Sequence, residues 1–511
     1  MVRTMIGVDS TGAGCVKIMK NDADNPRTTP DSQRSKFLYN SKYALNASIA
    51  HIERVNTIPG GNGTQYYPAG SNSSNYQKLV AYGDAGGFNE AIWVFKNSAF
   101  PDMKYNMPLF DVKATRNSTG RFNQMKIQRR YSGKYYHDQG GYLFMGNWRQ
   151  AGWFKDYQGL VSNWGSFPYG TVTRINNSDT NDAYNRFQSS DKRLIVWNLP
   201  GNEDPSLEAP VLAPNGSKNI IIRSDKMIIA KPGYNAETAT EWQISFDSRR
   251  VPVKVIAAAD IAIPAGESFY DTGITLPTNI ALDVHFYTGS TIYYPWSPDM
   301  EDGAGAEYWF SGTRIYFNAA SAMRARFMLY LDAGDSPTNG SNKVFRQFTE
   351  GGVDVVQFLR PGSANPPSWA DIVIDSRWPC VQIIKEGYFP VSAGSPVETV
   401  VTFDATGMFP MVKYMTKHGP GSDQNFGSWQ ASIKLPSVRQ LVYSTSSNFE
   451  CGDSSHCRLT QTSATFVTNR GRPGDYYNDD DDPGTWRTEG ADDVLGIRYY
   501  ILGIPALENL T

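Results

Sequence analysis

Histidine and cysteine are scarce, and the scarcity narrows the function classes before any motif is read. The five histidines, His51, His137, His285, His418 and His456, lie far apart in the sequence, so no local histidine constellation suggests a hydrolytic triad. Four cysteines in 511 residues do not make a disulfide framework. A net charge of −2 gives no basic surplus for nucleic acid and no acidic surplus for disorder. No apolar run approaches the roughly 20 residues of a membrane helix. The opening Met1–Asp9 lacks an uninterrupted apolar core, so no secretory signal is expected and synthesis in a cytoplasm is. Asn-x-Ser/Thr triplets at Asn46, Asn62 and Asn117 then read as ordinary composition. There is no Walker A pattern, no Gly-x-Ser-x-Gly and no His-Glu-x-x-His. Gly303 and Gly305 are followed by Ala-Glu-Tyr rather than by a dinucleotide-loop glycine. No catalytic residue, cofactor or metal ligand is assigned.

Aromatic residues and turn formers are abundant: 13% aromatic, with 29 Tyr, 46 Gly and 30 Pro. With few amphipathic helical patterns, this composition indicates an all-β protein. A repeat organises the chain. Residues 355–384 run from an apolar stretch through Arg360-Pro361-Gly362 and a polar loop to a second apolar stretch that closes on Asp375-Ser376-Arg377. Residues 227–256 follow the same plan through Lys231-Pro232-Gly233 to Asp247-Ser248-Arg249, 128 positions earlier. A weaker copy joins Val16–Lys20 to Phe37–Lys42, without Pro-Gly and with a longer loop. Apolar residues at i and i+2, such as Ile244/Phe246 and Ile372/Ile374, indicate strands. Pro-Gly supplies a turn, and Asp and Ser bond nearby backbone where the strand ends.

Each copy opens a series of short strands and closes on an Arg-bearing aromatic strand: Arg193–Trp197, Arg326–Tyr330 and Ile497–Leu502. Turn-rich stretches at 200–217 and 332–342 separate the series. The expected fold is all-β, with three tandem β-sandwich modules: residues 1–215, enlarged by an aromatic-rich insertion near 131–170, then 216–340 and 341–511.

The repeated Lys/Arg-Pro-Gly, apolar-x-apolar and Asp-Ser-Arg pattern, followed by a sandwich, resembles modules in tail-tip, tail-fibre and other minor virion proteins of tailed bacteriophages. It covers about a third of the chain and departs from the pattern in the first copy. The resemblance implies a non-enzymatic virion component, located in the tail and acting in assembly and host attachment. Its partners would be other tail proteins, with homo-oligomerisation in a symmetric particle and contact with a host surface glycan or protein. Nucleic acid binding and membrane insertion are not expected.

Several clusters keep more than one reading. Tyr135, Tyr136, Trp148, Trp153 and Trp164, in the insertion, suit a contact with neighbouring subunits, a core, or a saccharide platform. Cys451 and Cys457, seven residues end to end with His456 between them, suit a disulfide, free thiols or part of a metal site. Asp479–Asp482 is a solvated acidic loop or a Ca²⁺ ligand set. The alternative to a structural role is a β-rich depolymerase of host polysaccharide. That enzyme needs two carboxylates in a groove, drawn from candidates such as Asp138, Asp156, Glu301, Asp302 and Glu307, which the sequence alone does not pair.

Overall fold

The computed structural model describes main chain and side chains over residues 3–42, 212–223, 225–240, 243–248, 253–290, 306–319, 321–331, 338–342, 344–378, 381–392, 397–416, 457–468 and 495–505, with a few single residues such as Arg121 and Trp197, and elsewhere the backbone of the strands named below. The protein is all-β. The helical elements among the described residues are short 3-10 turns, such as Arg34–Lys36 and Trp369–Asp371.

Three small antiparallel sheets share one plan. They comprise Thr4–Val8, Gly14–Met19 and Phe37–Asn40; Ile220–Ile222, Met227–Ala230 and Ile244–Asp247; and Phe345–Glu350, Val353–Leu359 and Ile372–Asp375. In each, the middle strand of the sheet is also the second in sequence. The registers correspond residue by residue: Ile18 faces Tyr39, Ile229 faces Phe246 and Phe358 faces Ile374. A register shift follows that pair in all three sheets, between Ile18 and Met19, Ile229 and Ala230, and Phe358 and Leu359. A bulge retained at one register position increases local twist there and fixes the pairing. The first strand of each sheet is not part of the sequence pattern described above. The apolar run after each Asp-Ser-Arg belongs to a different sheet.

The sheets are not strung out along the chain. Val16, Ile18 and Tyr39, Met227, Ile229 and Phe246, and Val356, Phe358 and Ile374 bury one another in a single apolar cluster. Edge-to-face ring contacts run through it, Tyr39 to Phe246 at 6.3 Å and Phe246 to Phe358 at 6.5 Å.

A further antiparallel sheet follows each small one, with a recurring order. The closing strand lies in the centre, flanked by two earlier strands. Ser189–Asn198 lies between His51–Asn56 and Leu109–Arg116. Met323–Leu331 lies between Val255–Ile263 and Ile280–Tyr287. Val494–Pro505 lies between Gln382–Pro390 and Met408–His418. Strands of other sheets join the latter two in separate cores. One contains Leu282, Phe327 and Leu329 with Tyr308, Ile315 and Phe317. The other contains Val412, Tyr499 and Ile501 with Leu459, Ala464 and Phe466.

Strand pairing crosses both expected borders. Phe122–Met125 pairs with Gly305–Ser311, so one seven-stranded sheet contains strands from either side of 215/216. Ile292–Tyr294 pairs with Ser455–Leu459, so a four-stranded sheet crosses 340/341. In both cases a strand of one repeat joins a sheet containing strands of the next, whereas Ser432–Lys434 of the third repeat pairs with its own Met408–His418 and also lies near Tyr169–Ile175 of the first. This corrects the expectation of separately folding modules: the joints are turn-rich, but backbone hydrogen bonds bridge them. The stretch Ile274–Leu276, whose composition reads as a strand, is instead an irregular segment after Gly266–Asp271.

Candidate functional site

The repeat signature builds the place where the three sheets meet. Ser41, Ser248 and Ser376 follow directly on the third strands, and each clamps one residue of the middle strand at two points. Val16 N–H donates to Ser41 Oγ at 2.9 Å, Met227 N–H to Ser248 Oγ at 2.8 Å and Val356 N–H to Ser376 Oγ at 2.9 Å. Each serine N–H in turn donates to the carbonyl of the same residue, at 2.9 Å in all three cases. A serine suits this place because its short hydroxyl can satisfy a backbone donor that the ladder leaves over.

The Pro-Gly pairs turn the chain at the other end of the middle strand. Tyr234 N–H donates to Lys231 C=O at 3.2 Å, and Ser363 N–H to Arg360 C=O at 3.3 Å. Gly233 and Gly362 sit at φ 85° and 75°. Pro at the second and a left-handed glycine at the third position define a type II turn. Gly233 also lies against Leu212, where a Cβ would come within 2.4 Å. Lys231 and Arg360, just before these turns, donate backbone N–H to Gln243 and Asp371, and Lys20 does the same to Lys36 in the first copy.

Around this frame each copy has its own buried polar set. In the first, Asp9, Lys17, Asp31 and Lys42 alternate in a closed four-charge ring. Lys17 Nζ lies 2.8 Å from both carboxylates, and Lys42 Nζ lies 2.8 Å from Asp9 and 2.5 Å from Asp31. Burial alone would raise the Asp9 carboxyl, but hydrogen bonds from Lys17, Lys42 and Thr11 hold it well below the usual range. Burial likewise opposes charge on Lys17 and Lys42, and their bonds to Asp31 and Asp9 reverse this and raise both.

In the third copy Asp371 is fully buried and accepts from Arg360 at 2.9 Å, from Ser368 N–H at 2.9 Å and from Thr338 N–H at 3.1 Å. Burial would raise its carboxyl, but the bonds from Thr338, Ser368 and Arg360 prevail and hold it at about 2. Arg377 grips Asp375 with two guanidinium bonds of 2.9 and 2.6 Å, stacks over Trp378 at 4.6 Å and bonds Glu350. In the second copy Lys231, Asp247 and Ser248 are buried, and Arg249 lies outside the described residues.

The closing strands meet in a second set of contacts between repeats. Trp197 packs edge-on against Tyr330 at 4.7 Å. Lys413 Nζ sits 4.3 Å from the Trp197 ring and 2.7 Å from Asp283, so one lysine touches groups of both other repeats. Arg326 stacks on Phe409 at 3.8 Å and donates to the Pro410 carbonyl at 2.9 Å. On the seven-stranded sheet, Tyr316 stacks on Trp309 at 5.3 Å and 10°, and the Arg121 guanidinium lies 3.6 Å from the centre of the Trp309 ring, which fastens a first-repeat arginine to the second repeat.

The other expected residues are placed as follows. Tyr135 and Tyr136 lie on a strand, Tyr135–Asp138, paired with Tyr142–Met145. Trp148, Trp153 and Trp164 lie outside the described residues, as do Cys451, Asp156, Glu301 and Asp302. Cys457 is a free thiol buried in the apolar core with Phe466 and Leu459. Burial pushes that thiol far up, which makes it inert. Asp479 faces Asp482 across a hairpin. Glu307 is buried on Gly305–Ser311. Among the described residues no three His, Cys, Asp or Glu side chains are placed to hold a metal ion.

The buried ring of Asp9 and Asp31 with Lys17 and Lys42 is absent from the sequence reading. Lys17 and Lys42 belong to the weak first copy, but their partners lie in loops outside the pattern. What the whole arrangement does chemically is exclude water and lock three backbone segments together. Comparison with family models, with curated proteins and with solved structures finds no match to this chain.

Proposed function

We propose that the protein is a structural component of a tailed-phage virion, a minor tail-tip or fibre protein that acts in assembly and host attachment. In this reading its three repeats are β-sandwich modules closed on one another in a threefold-like array. The observation that carries the reading is the strand exchange. A strand of the first repeat joins a sheet of the second, a strand of the second joins a sheet of the third, and all three small sheets share one core. Such a body resists separation of its parts because any separation breaks backbone ladders as well as apolar contacts. That suits a part held in an assembly under mechanical load. The Pro-Gly and Asp-Ser-Arg resemblance adds the virion context.

The test is to image purified particles in which the protein carries an added, electron-dense tag. Density at the tail is expected; particles without the tag would overturn the reading. Incubation of the purified protein with host surface polysaccharide tests its non-enzymatic part. No new reducing ends are expected, and their appearance would favour the depolymerase reading.

A further inference from the structure

The face of the seven-stranded sheet turned away from its core carries a row of rings between two rows of hydrogen-bonding side chains. Ile315, Phe317 and Ala319 alternate into the core, so Arg314, Tyr316 and Asn318 stand on the opposite face. Register extends that face to the neighbouring strands. Tyr316 faces Phe269 on one side and Trp309 on the other. Ring centroids are 5.9 Å apart in the first pair and 5.3 Å apart in the second. Because Phe122 faces Tyr308, Arg121 comes beside Trp309 and closes the row with its guanidinium against that ring. Glu267 opposite Asn318 forms one flank, and Asp271 opposite Arg314 forms the other.

The row opens to solvent at its Phe269 end. Gly266–Asp271 is the edge strand of the sheet, and Phe269 is 50% exposed. A half-exposed phenylalanine aligned with a tyrosine and a tryptophan is a surface that gains by being covered.

Two features select what covers it. The apolar strip is one ring wide, whereas the faces on which proteins dock have a broad apolar centre inside a polar rim. The charges on its flanks already have partners, since Arg314 Nε lies 3.1 Å from Asp271 and Arg121 lies 3.7 Å from Glu267. These pairs balance, so the face has no surplus charge with which to select a nucleic acid or an acidic polymer. A pyranose chain has the complementary form, with C–H groups on its ring faces and hydroxyls along both edges. The negative face of an aromatic ring attracts such C–H groups. Carboxylate, amide and guanidinium groups on either side supply acceptors and donors for the hydroxyls.

We propose that this face binds an extended, uncharged glycan. Sugar rings lie over Phe269 and Tyr316, and their hydroxyls bond Asp271 and Arg314 on one side and Glu267 and Asn318 on the other. Arg121 on Trp309 bounds the chain at the far end. The inference deepens the host-attachment reading above and rests on it for the source of the glycan.

The experiment titrates the full chain by calorimetry with cellohexaose, chitohexaose, laminarihexaose and mannohexaose in turn, and with polygalacturonate as the charged comparison. Saturable binding of at least one neutral oligosaccharide is expected. Phe269→Ala and, independently, Asn318→Ala should each weaken it at least fivefold with the thermal midpoint unchanged. Val400→Ala, at an exposed position on a different sheet, should leave it unaltered. Binding of none of the four, binding of polygalacturonate alone, or a loss below fivefold in a correctly folded variant overturns the proposal. If the glycan binds as expected but tagged particles show no density at the tail, the virion reading alone fails. If tail density is seen and none of the oligosaccharides binds, this proposal alone fails.

Discussion

Replacing Asp9 by Asn tests whether the buried charge ring holds the first repeat together. Asp9 is 3% exposed and accepts from Lys17 and Lys42 at 2.8 Å each, from Thr11 Oγ at 2.6 Å and from Thr11 N–H at 2.9 Å. The amide keeps the size and one acceptor oxygen but removes the negative charge. Two ammonium groups then share the single carboxylate of Asp31. Two opposite charges in contact attract by about 4 kcal/mol at an effective dielectric near 20, so losing two such contacts removes more than the remaining hydrogen bonds return. Breaking one member of a buried ion set costs about 3–5 kcal/mol in comparable cases. That is a large part of the roughly 5–15 kcal/mol that stabilises ordinary domains.

The expected outcome of Asp9→Asn is a urea midpoint lowered by an amount equal to about 3–5 kcal/mol, with the slope unchanged. A second variant separates charge balance from shape. In Asp9→Asn with Lys42→Met the ring holds one cation and one anion again, and the double variant should be more stable than the sum of the single costs by at least about 1 kcal/mol. Additive costs, or a single-variant cost below about 1 kcal/mol, would refute the argument.

Three further outcomes follow from the same geometry. Ser41→Ala, Ser248→Ala and Ser376→Ala each strand one buried backbone N–H and should each cost about 1–3 kcal/mol in chemical unfolding; a neutral variant at any one position would contradict the equivalence of the clamps. The Asp371 carboxyl is held at about 2 against an ordinary value of 3.8, so it contributes about 2 kcal/mol above pH 4, and this is lost as pH falls from about 4 through 2; stability of Asp371→Asn measured at pH 5 and pH 2.5 should therefore change less than that of the parent. A chain of residues 216–511 lacks Phe122–Met125 and exposes the Gly305–Ser311 edge, so size-exclusion chromatography should find it aggregated or poorly folded, and a stable monomer would argue against exchange as a source of stability.

The repeat was legible because its defining residues have local jobs. Pro-Gly makes a type II turn within four residues, and Ser376 clamps a strand only 20 residues away, so identity and spacing persist between copies. The alternation of Ile244 with Phe246 likewise shows a strand without reference to anything distant. The exchange was not legible. Phe122–Met125 is four residues, FNQM, with no pattern of its own, and it is a strand only because Gly305–Ser311 offers it an edge. The charge ring was hidden for a related reason. Lys17 sits in an otherwise apolar strand, where a lone lysine reads as solvent-facing, and only the fold of a loop brings Asp31 to it. Turn-rich joints misled in the opposite direction: proline and glycine show where the backbone turns, not whether the elements on either side later pair.

Equivalent positions also explain what one chain gains over three copies of a single module. Aligning the closing strands on Arg193, Arg326 and Arg498 places Ile195, Met328 and Tyr500 together, and opposite them in the ladder stand Asp111, Asp283 and Lys413. Three identical copies would carry the same residue at this register, so the Lys413–Asp283 pair could not form. In the fused chain the copies have diverged, and Lys413 binds Asp283 at 2.7 Å while its ammonium lies over Trp197. The same divergence gives the first sheet its ring of four charges and the third its Arg360–Asp371 pair, each complete within its own copy. Three copies of one strand plan can thus hold cores in which each contact is chemically different.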